Sequence, residues 1–292
     1  MTTLDVTAPH GQIRSLLILG RVSNLPTVWS NCLAGWLLSH GGDHVTFLLL
    51  CAGSTFLYIG GMYLNDAFDY QFDQQHRPER PIPSGAISLA AVWLWGLSWL
   101  GAGLVCLLFL GKTTAILALL LSLCILLYDA VHKMFSFSPI LMAACRFFLV
   151  LTAASAGYRG VTGSSAWSAL VLALYIVGLS YIARKESVKS ALRYWPCLLL
   201  SAPLVLAMIV TGGSFVWRGF FLCALLVAWM VRCLSFAYLS GQRNIGRCVS
   251  GLLAGIVLVD FMAAWEGDFL VASGFLALFG LALLFQRFIP AT

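Results

Sequence analysis

Hydrophobic residues fill this chain in long runs separated by short polar joints. Taken in order, the runs predict ten helices, at about 13–39, 45–65, 87–110, 113–130, 137–158, 165–183, 195–211, 216–238, 246–264 and 269–287. Their lengths cluster around the ~20 residues a helix needs to cross the hydrocarbon of a bilayer. Barrel strands would instead alternate polar and apolar positions over segments of about ten residues. A backbone in hydrocarbon must bond to itself, which runs this long achieve as α-helix. The expected architecture is therefore an all-α polytopic transmembrane bundle of nine to ten spans. Nine is the count if one of the two runs flanking Glu266–Asp268 is re-entrant. Residues 1–12 form a tail and 13–292 a single transmembrane domain.

Composition agrees: 61% of the 292 residues are hydrophobic and 10% are charged, against roughly a quarter charged in soluble domains. Residues 1–10 lack the charged start and apolar core of a cleavable leader and read as a cytosolic tail. The nine cysteines stand singly with no C-x-x-C pair, as small buried hydrophobes do. The five histidines are scattered and suggest no metal centre. The net charge of +6 suggests a nucleic-acid surface until the basic residues are placed. With the N-terminus in the cytosol, twelve fall on inward joints: Arg14, Arg21, Arg77, Arg80, Lys133, Arg184, Lys185, Lys189, Arg193, Arg243, Arg247 and Arg287. Three, Lys112, Arg159 and Arg218, fall outward, and Arg146 and Arg232 lie within spans. That is a positive-inside distribution, and the expected setting is a bacterial inner membrane.

The joint between the second and third spans carries the candidate chemistry. It reads Asn65-Asp66-Ala67-Phe68-Asp69-Tyr70-Gln71-Phe72-Asp73, then Arg80-Pro81-Ile82-Pro83-Ser84-Gly85. On a helix Asp66, Asp69 and Asp73 fall at i, i+3 and i+7, with Asn65 four before Asp69, so all four share a face. Like charges stacked this way repel unless a cation lies between them, and carboxylate oxygens suit magnesium. Arg77 and Arg80 follow, able to grip phosphate oxygens in a bidentate fork. The bland alternative is a solvated acidic helix end before a Pro-rich turn. Against it stand the one-face spacing and the position at a membrane edge, where ionisable groups are functional candidates.

N-D-x-x-D-x-x-x-D followed by R-P-I-P-S-G resembles the first signature of the UbiA-type intramembrane prenyltransferases. The stretch from Gly20-Arg21-Val22-Ser23-Asn24 to Asn31 is similar to that family's first-helix Arg/Asn pattern. Tyr128-Asp129-Ala130-Val131-His132-Lys133 resembles its Y-P-x-x-K-R stretch, with Asp129 in place of proline. After the sixth span the family carries a second motif, D-x-x-x-D. Here Glu186 is the only acid between Ser180 and Arg193, among Arg184, Lys185, Lys189 and Arg193. This variant looks similar to UbiA-like proteins of secondary-metabolite gene sets.

The resemblance implies magnesium-dependent transfer of a prenyl group from a prenyl diphosphate to a small, usually aromatic, acceptor within the membrane. Asn65, Asp66, Asp69 and Asp73 would hold Mg2+, with the three aspartates catalytic. Asn31, Arg77, Arg80, Lys133, Arg184, Lys185 and Glu186 would contact substrate. Arg146, about 13 Å into its helix, reads equally as a substrate contact or as a structural partner of an acid such as Asp129. Arg232 reads as snorkelling and Asp260 as structural. Aromatic residues suit interfacial belts, packing and the walls of a prenyl tunnel. The main rival is a catalytically weakened carrier that binds or delivers an isoprenoid or other lipid precursor to partner enzymes. An ion-coupled transporter fits less well, because the acids gather at one membrane edge. A CDP-alcohol phosphotransferase would need a D-G-x-x-A-R stretch, which the chain lacks.

The charge distribution makes one directly testable statement. Reporter fusions at the N-terminus and in the 188–192 joint are expected to report the cytosol, and a fusion at Gly160 the opposite side. The reverse pattern would overturn the assigned orientation.

Overall fold

The computed structural model describes residues 11–133, 135, 137–187, 193–210, 216–239, 243–265 and 268–291. The regular elements assigned among them are helical. In order they are α1 (Gln12–Leu19), α2 (Leu25–Leu38), α3 (His44–Phe68), α4 (Tyr70–His76), α5 (Leu89–Leu108), α6 (Lys112–Val131), α7 (Ser138–Ser155), α8 (Gly163–Ser187), α9 (Trp195–Leu200), α10 (Ala202–Val210), α11 (Val216–Tyr238), α12 (Ile245–Ala264) and α13 (Phe269–Phe288). Eight of these, α3, α5, α6, α7, α8, α11, α12 and α13, are long and apolar enough to cross a membrane unbroken.

The two other predicted spans are broken helices, which corrects the reading of each as one rod. The first stops at Leu19, and Arg21 takes left-handed angles of φ 42° and ψ 47° before a 3₁₀ turn over Val22–Asn24. An L-residue there costs about 1–2 kcal/mol. Pro26, which has no N–H, sits in the first turn of α2, where none is needed. The seventh breaks at Ser201, and Pro203 in the first turn of α10 has no N–H to continue the ladder.

α2 lies at the centre of the bundle, packed against α3, α7, α12 and α13. Segments far apart in sequence meet at the two poles. At the pole carrying the aspartates, Ser23 Oγ and Asn24 Nδ2 donate to the carbonyls of Pro290 (3.3 Å) and Ala291 (2.9 Å). At the other, Tyr158 N–H donates to Gly41 O at 2.8 Å and Ser39 Oγ to Gly160 O at 2.7 Å.

Among the described residues the most extensive helix contact is α3 on α5. A Cβ added at Gly60 would lie 2.6 Å from Leu100 N and 2.9 Å from Gly96 O, both backbone atoms that have no way to move aside. In lipid, where apolar contact alone gives little drive, such backbone proximity is the source of association. It also fixes the rotation of α3, and thereby where its acidic end points. Gly60→Val is expected to lower stability in detergent by about 3 kcal/mol. Gly101→Ala, with nothing within 4 Å of the new methyl, should be neutral or slightly stabilising. A harmless Gly60→Val in thermal unfolding would contradict this packing.

Candidate functional site

α3 ends at Phe68, bends at Asp69 and resumes as α4. The hydrogen-bond ladder nevertheless continues: Asp69 N–H donates to Asn65 O, Asp73 N–H to Asp69 O and Arg77 N–H to Asp73 O. The four polar side chains therefore keep one face, and that face is inward. Asn65, Asp66, Asp69 and Asp73 are 4, 6, 7 and 2% exposed. A solvated helix end is excluded by those values.

Buried carboxylates need counter-charge, because the effective desolvation penalty is several kcal/mol per ion. Three other parts of the chain supply it. From the break between α1 and α2, Arg21 Nη2 reaches Asn65 Oδ1 (3.2 Å) and Asp66 Oδ1 (3.4 Å). Arg80 Nη1 bridges Asp66 Oδ1 (3.3 Å) and Asp73 Oδ2 (2.7 Å). From the end of α6, Lys133 Nζ lies 2.7 Å and His132 Nε2 3.2 Å from Asp69 Oδ1. The Lys133 ammonium also sits 3.8 Å from the centre of the Phe72 ring.

The R-P-I-P-S-G segment is a compact clamp for Arg80. Ser84 N–H donates back to Arg80 O and Ile87 N–H to Pro81 O. Ile82 is buried in a small cluster with Leu19, Tyr63, Ala67 and Val92, and Gly85 takes φ +77°, a conformation that favours glycine. Arg77 is half-buried one turn before Arg80.

Asp129, near the end of α6, is buried at the same face, and its Oδ1 accepts from Asn65 Nδ2 at 3.1 Å. Neither Asp129 nor His132 stood among the expected site residues. In the sequence Asp129 stands in place of a proline and as an alternative partner for Arg146, and His132 stands only within the same Tyr128–Lys133 stretch; the packing of α3 on α6 brings both to the acids.

A comparison with known families matches residues 25–184 to the UbiA prenyltransferase family. The chain belongs to that family. Among curated relatives it is 28% identical to the digeranylgeranylglyceryl phosphate synthase of Methanoregula boonei over 184 residues, 61% of this chain and 62% of that protein. It is 30% identical to the synthase of that name from Thermococcus kodakarensis over 125 residues, 43% of this chain and 41% of that one. The chain thus spans less than two thirds of the length of these relatives, both archaeal. Among solved structures it is similar to one of a digeranylgeranylglyceryl phosphate synthase, with TM-score 0.62 and 21% identity, covering 87% of this chain and 99% of the other. It also resembles a UbiA homologue from Archaeoglobus fulgidus bound to GPP and Mg2+, with TM-score 0.54 and 14% identity, covering 95% and 100%. At these identities the structural likeness shows a shared UbiA fold.

Not every residue expected at the site is brought to it. Asn31 and Arg146 form a different network, inside the bundle. Arg146 donates to Asn31 Oδ1 (2.7 Å), Thr27 Oγ1 (3.0 Å) and Thr27 O (3.3 Å). Asn31 Nδ2 and Ser30 Oγ donate to Asp260 Oδ2 at 2.6 and 2.5 Å. Arg146 is thus linked to an acid through Asn31, and that acid is Asp260 rather than Asp129. Arg184 lies exposed near the end of α8, and the side chains of Lys185 and Glu186 lie outside the described residues.

The UbiA family implies magnesium, and the donors here suit it, being carboxylate and amide oxygens. They are not preassembled: among the described residues no three His, Cys, Asp or Glu side chains converge on one point. Each aspartate of the motif instead faces a basic side chain, so metal binding requires the carboxylates to turn from those partners.

Burial alone would raise the Asp69 carboxyl, but His132 and Lys133 outweigh it and hold its pKa below the ordinary carboxylate value. A group depressed on folding stabilises the fold above its unfolded pKa, near 3.9, and that contribution is lost as pH falls through the folded value. Lys133→Met is therefore expected to destabilise fully at about pH 5 and progressively less below about pH 4. Equal destabilisation by thermal unfolding at about pH 5 and pH 3 would contradict the pairing.

Proposed function

We propose that this protein transfers a prenyl group from a prenyl diphosphate to a small acceptor within the membrane, with Mg2+ held by Asn65, Asp66, Asp69 and Asp73. One observation carries the reading: an inward acidic face met by Arg21, Arg80, His132 and Lys133 at one pole of a membrane bundle. Carboxylates for a metal and guanidinium and ammonium groups for phosphate oxygens are there in a single enclosure. The acceptor class favoured by the motif resemblance is an aromatic ring. The curated relatives' name points instead to a glyceryl phosphate product, so both classes belong in the test.

Magnesium, when bound, neutralises diphosphate charge and improves it as a leaving group. The chain's own residues do the rest. Arg80, between Asp66 and Asp73, presents its fork to diphosphate oxygens as those carboxylates turn aside. Arg21 approaches from the opposite element, and Lys133, steadied on Phe72, adds a third contact. Burial keeps water out, so these fixed charges act strongly on the charge that develops as the carbon–oxygen bond loosens. The carbon–oxygen bond breaks with its electron pair leaving on the diphosphate, an electron pair of the acceptor makes the new bond to the allylic carbon, and the acceptor's proton passes to the departing diphosphate. The inner end of the bundle holds the charged head, while the tail remains among apolar helices.

A second reading has its own support. Glu186 is the only acid from Ser180 to Arg193, and the motif aspartates already have basic partners. A weakened site that binds or delivers an isoprenoid fits both facts.

The test uses purified full-length protein, labelled prenyl diphosphates of several lengths, and aromatic and glyceryl phosphate acceptors, with and without Mg2+. Magnesium-dependent release of diphosphate is expected, falling at least about 100-fold in Asp66→Ala and Asp69→Ala. Tight magnesium-dependent binding without turnover on any donor would favour the carrier instead.

A further inference from the structure

Asp129 differs from the other buried acids of the face. Asp66, Asp69 and Asp73 each have a basic partner, whereas no ion pair among the described residues involves Asp129. The residue is 3% exposed, its Oδ1 is taken by Asn65, and its Oδ2 is buried with no hydrogen-bond partner. A buried carboxylate oxygen left in this condition is destabilising and is suited to a cation that comes from outside the chain.

The bonded oxygen has a consequence of its own. A carboxylate only accepts, so Asp129 Oδ1 selects the Asn65 amide orientation in which nitrogen faces α6. The Asn65 oxygen is thereby turned to Arg21 and the Asp66 side of the face, where Arg21 Nη2 meets it at 3.2 Å. One carboxylate thus orients a neighbouring donor oxygen and leaves its second oxygen unused.

We propose that Asp129 is a ligand of the same divalent-cation site, contributing Oδ2 to the metal while Oδ1 fixes the Asn65 amide. This inference rests on the magnesium reading above. It assigns to α6 a carboxylate at a site whose other acids come from α3, α4 and the residue between them. It also gives the site a fourth acid in a chain whose joint after α8 supplies only Glu186.

The experiment is an electron paramagnetic resonance titration of Mn2+ into the full-length protein in detergent, with thermal unfolding measured in EDTA and in excess Mn2+. The variants are Asp129→Asn, Asp129→Ala and Asp66→Asn. Both Asp129 variants are expected to weaken Mn2+ binding about 10-fold or more and to lose most of the Mn2+-induced rise in Tm. In EDTA, Asp129→Asn should unfold at or above the wild-type temperature, because it keeps the shape of a buried acid that has no cationic partner while removing its capacity to ionise. A merely structural Asp129 would instead lower Tm in EDTA and leave Mn2+ affinity unchanged. Wild-type affinity in either folded Asp129 variant, with Asp66→Asn weakened, overturns this inference and leaves the metal reading standing. Absence of Mn2+ binding by the wild-type protein overturns both.

Discussion

A row of carboxylates buried at the end of a membrane helix is stable only if cations from elsewhere in the chain reach it. Much of the irregular structure at this pole does that work. The break after Leu19 puts Arg21 in a left-handed conformation, and the guanidinium then lies against Asn65 and Asp66. The turn from Arg80 to Gly85 is tied back on itself and anchored by Ile82, so Arg80 reaches Asp66 and Asp73 together. Local strain of about 1–2 kcal/mol at Arg21 is small beside the 3–5 kcal/mol typical of breaking a buried pair. That inequality makes a strained joint tolerable here.

The same constraint operates within the bundle. Arg146 lies far from either end of α7, in a region where a charge must face protein or a wet cavity. It meets Thr27 and Asn31 on α2, and Asn31 hands the interaction on to Asp260 on α12. One basic and one acidic side chain thus tie three helices together through an amide. Because α2 is central, the network also locates the start of α2, and with it the break that carries Arg21. The interior network and the acidic pole are mechanically linked through one helix, and Tyr58 adds a contact, its ring 5.9 Å from Arg146 and its hydroxyl donating to Arg21 O at 3.4 Å.

Periodicity and length made the helical bundle legible from the sequence, and one-face spacing did the same for Asn65, Asp66, Asp69 and Asp73. These are local properties, and local rules govern them. The breaks were harder to see. Gly20–Asn24 is a polar interruption holding one clear hydrophobe, Val22, too short to divide the run by hydropathy alone, and nothing in it but the glycine announces a reversal of φ at Arg21. Pro203 was a visible signal for the break at Ser201, but membrane helices often tolerate proline, so it does not compel one. The partnerships of Arg146 with Asn31 and of Asn31 with Asp260 join residues 115 and 229 positions apart. They depend on how α2, α7 and α12 rotate against one another, which hydropathy does not encode.

Asp129 shows why a motif position needs its surroundings before it has a chemical meaning. In the sequence it is a departure from a pattern beside a basic pair, and an alternative partner for Arg146. The fold does otherwise. Both basic side chains turn to Asp69, and the near approach of α3 to α6 gives Asp129 an amide instead of a cation. An acid deprived of its sequence neighbours by geometry is the one left without a cationic partner. The polar pole is therefore asymmetric. On the α3–α4 side each aspartate of the motif has a basic partner within the chain, while on the α6 side Asp129 has none among the described residues, because the basic side chains that follow it are drawn to Asp69.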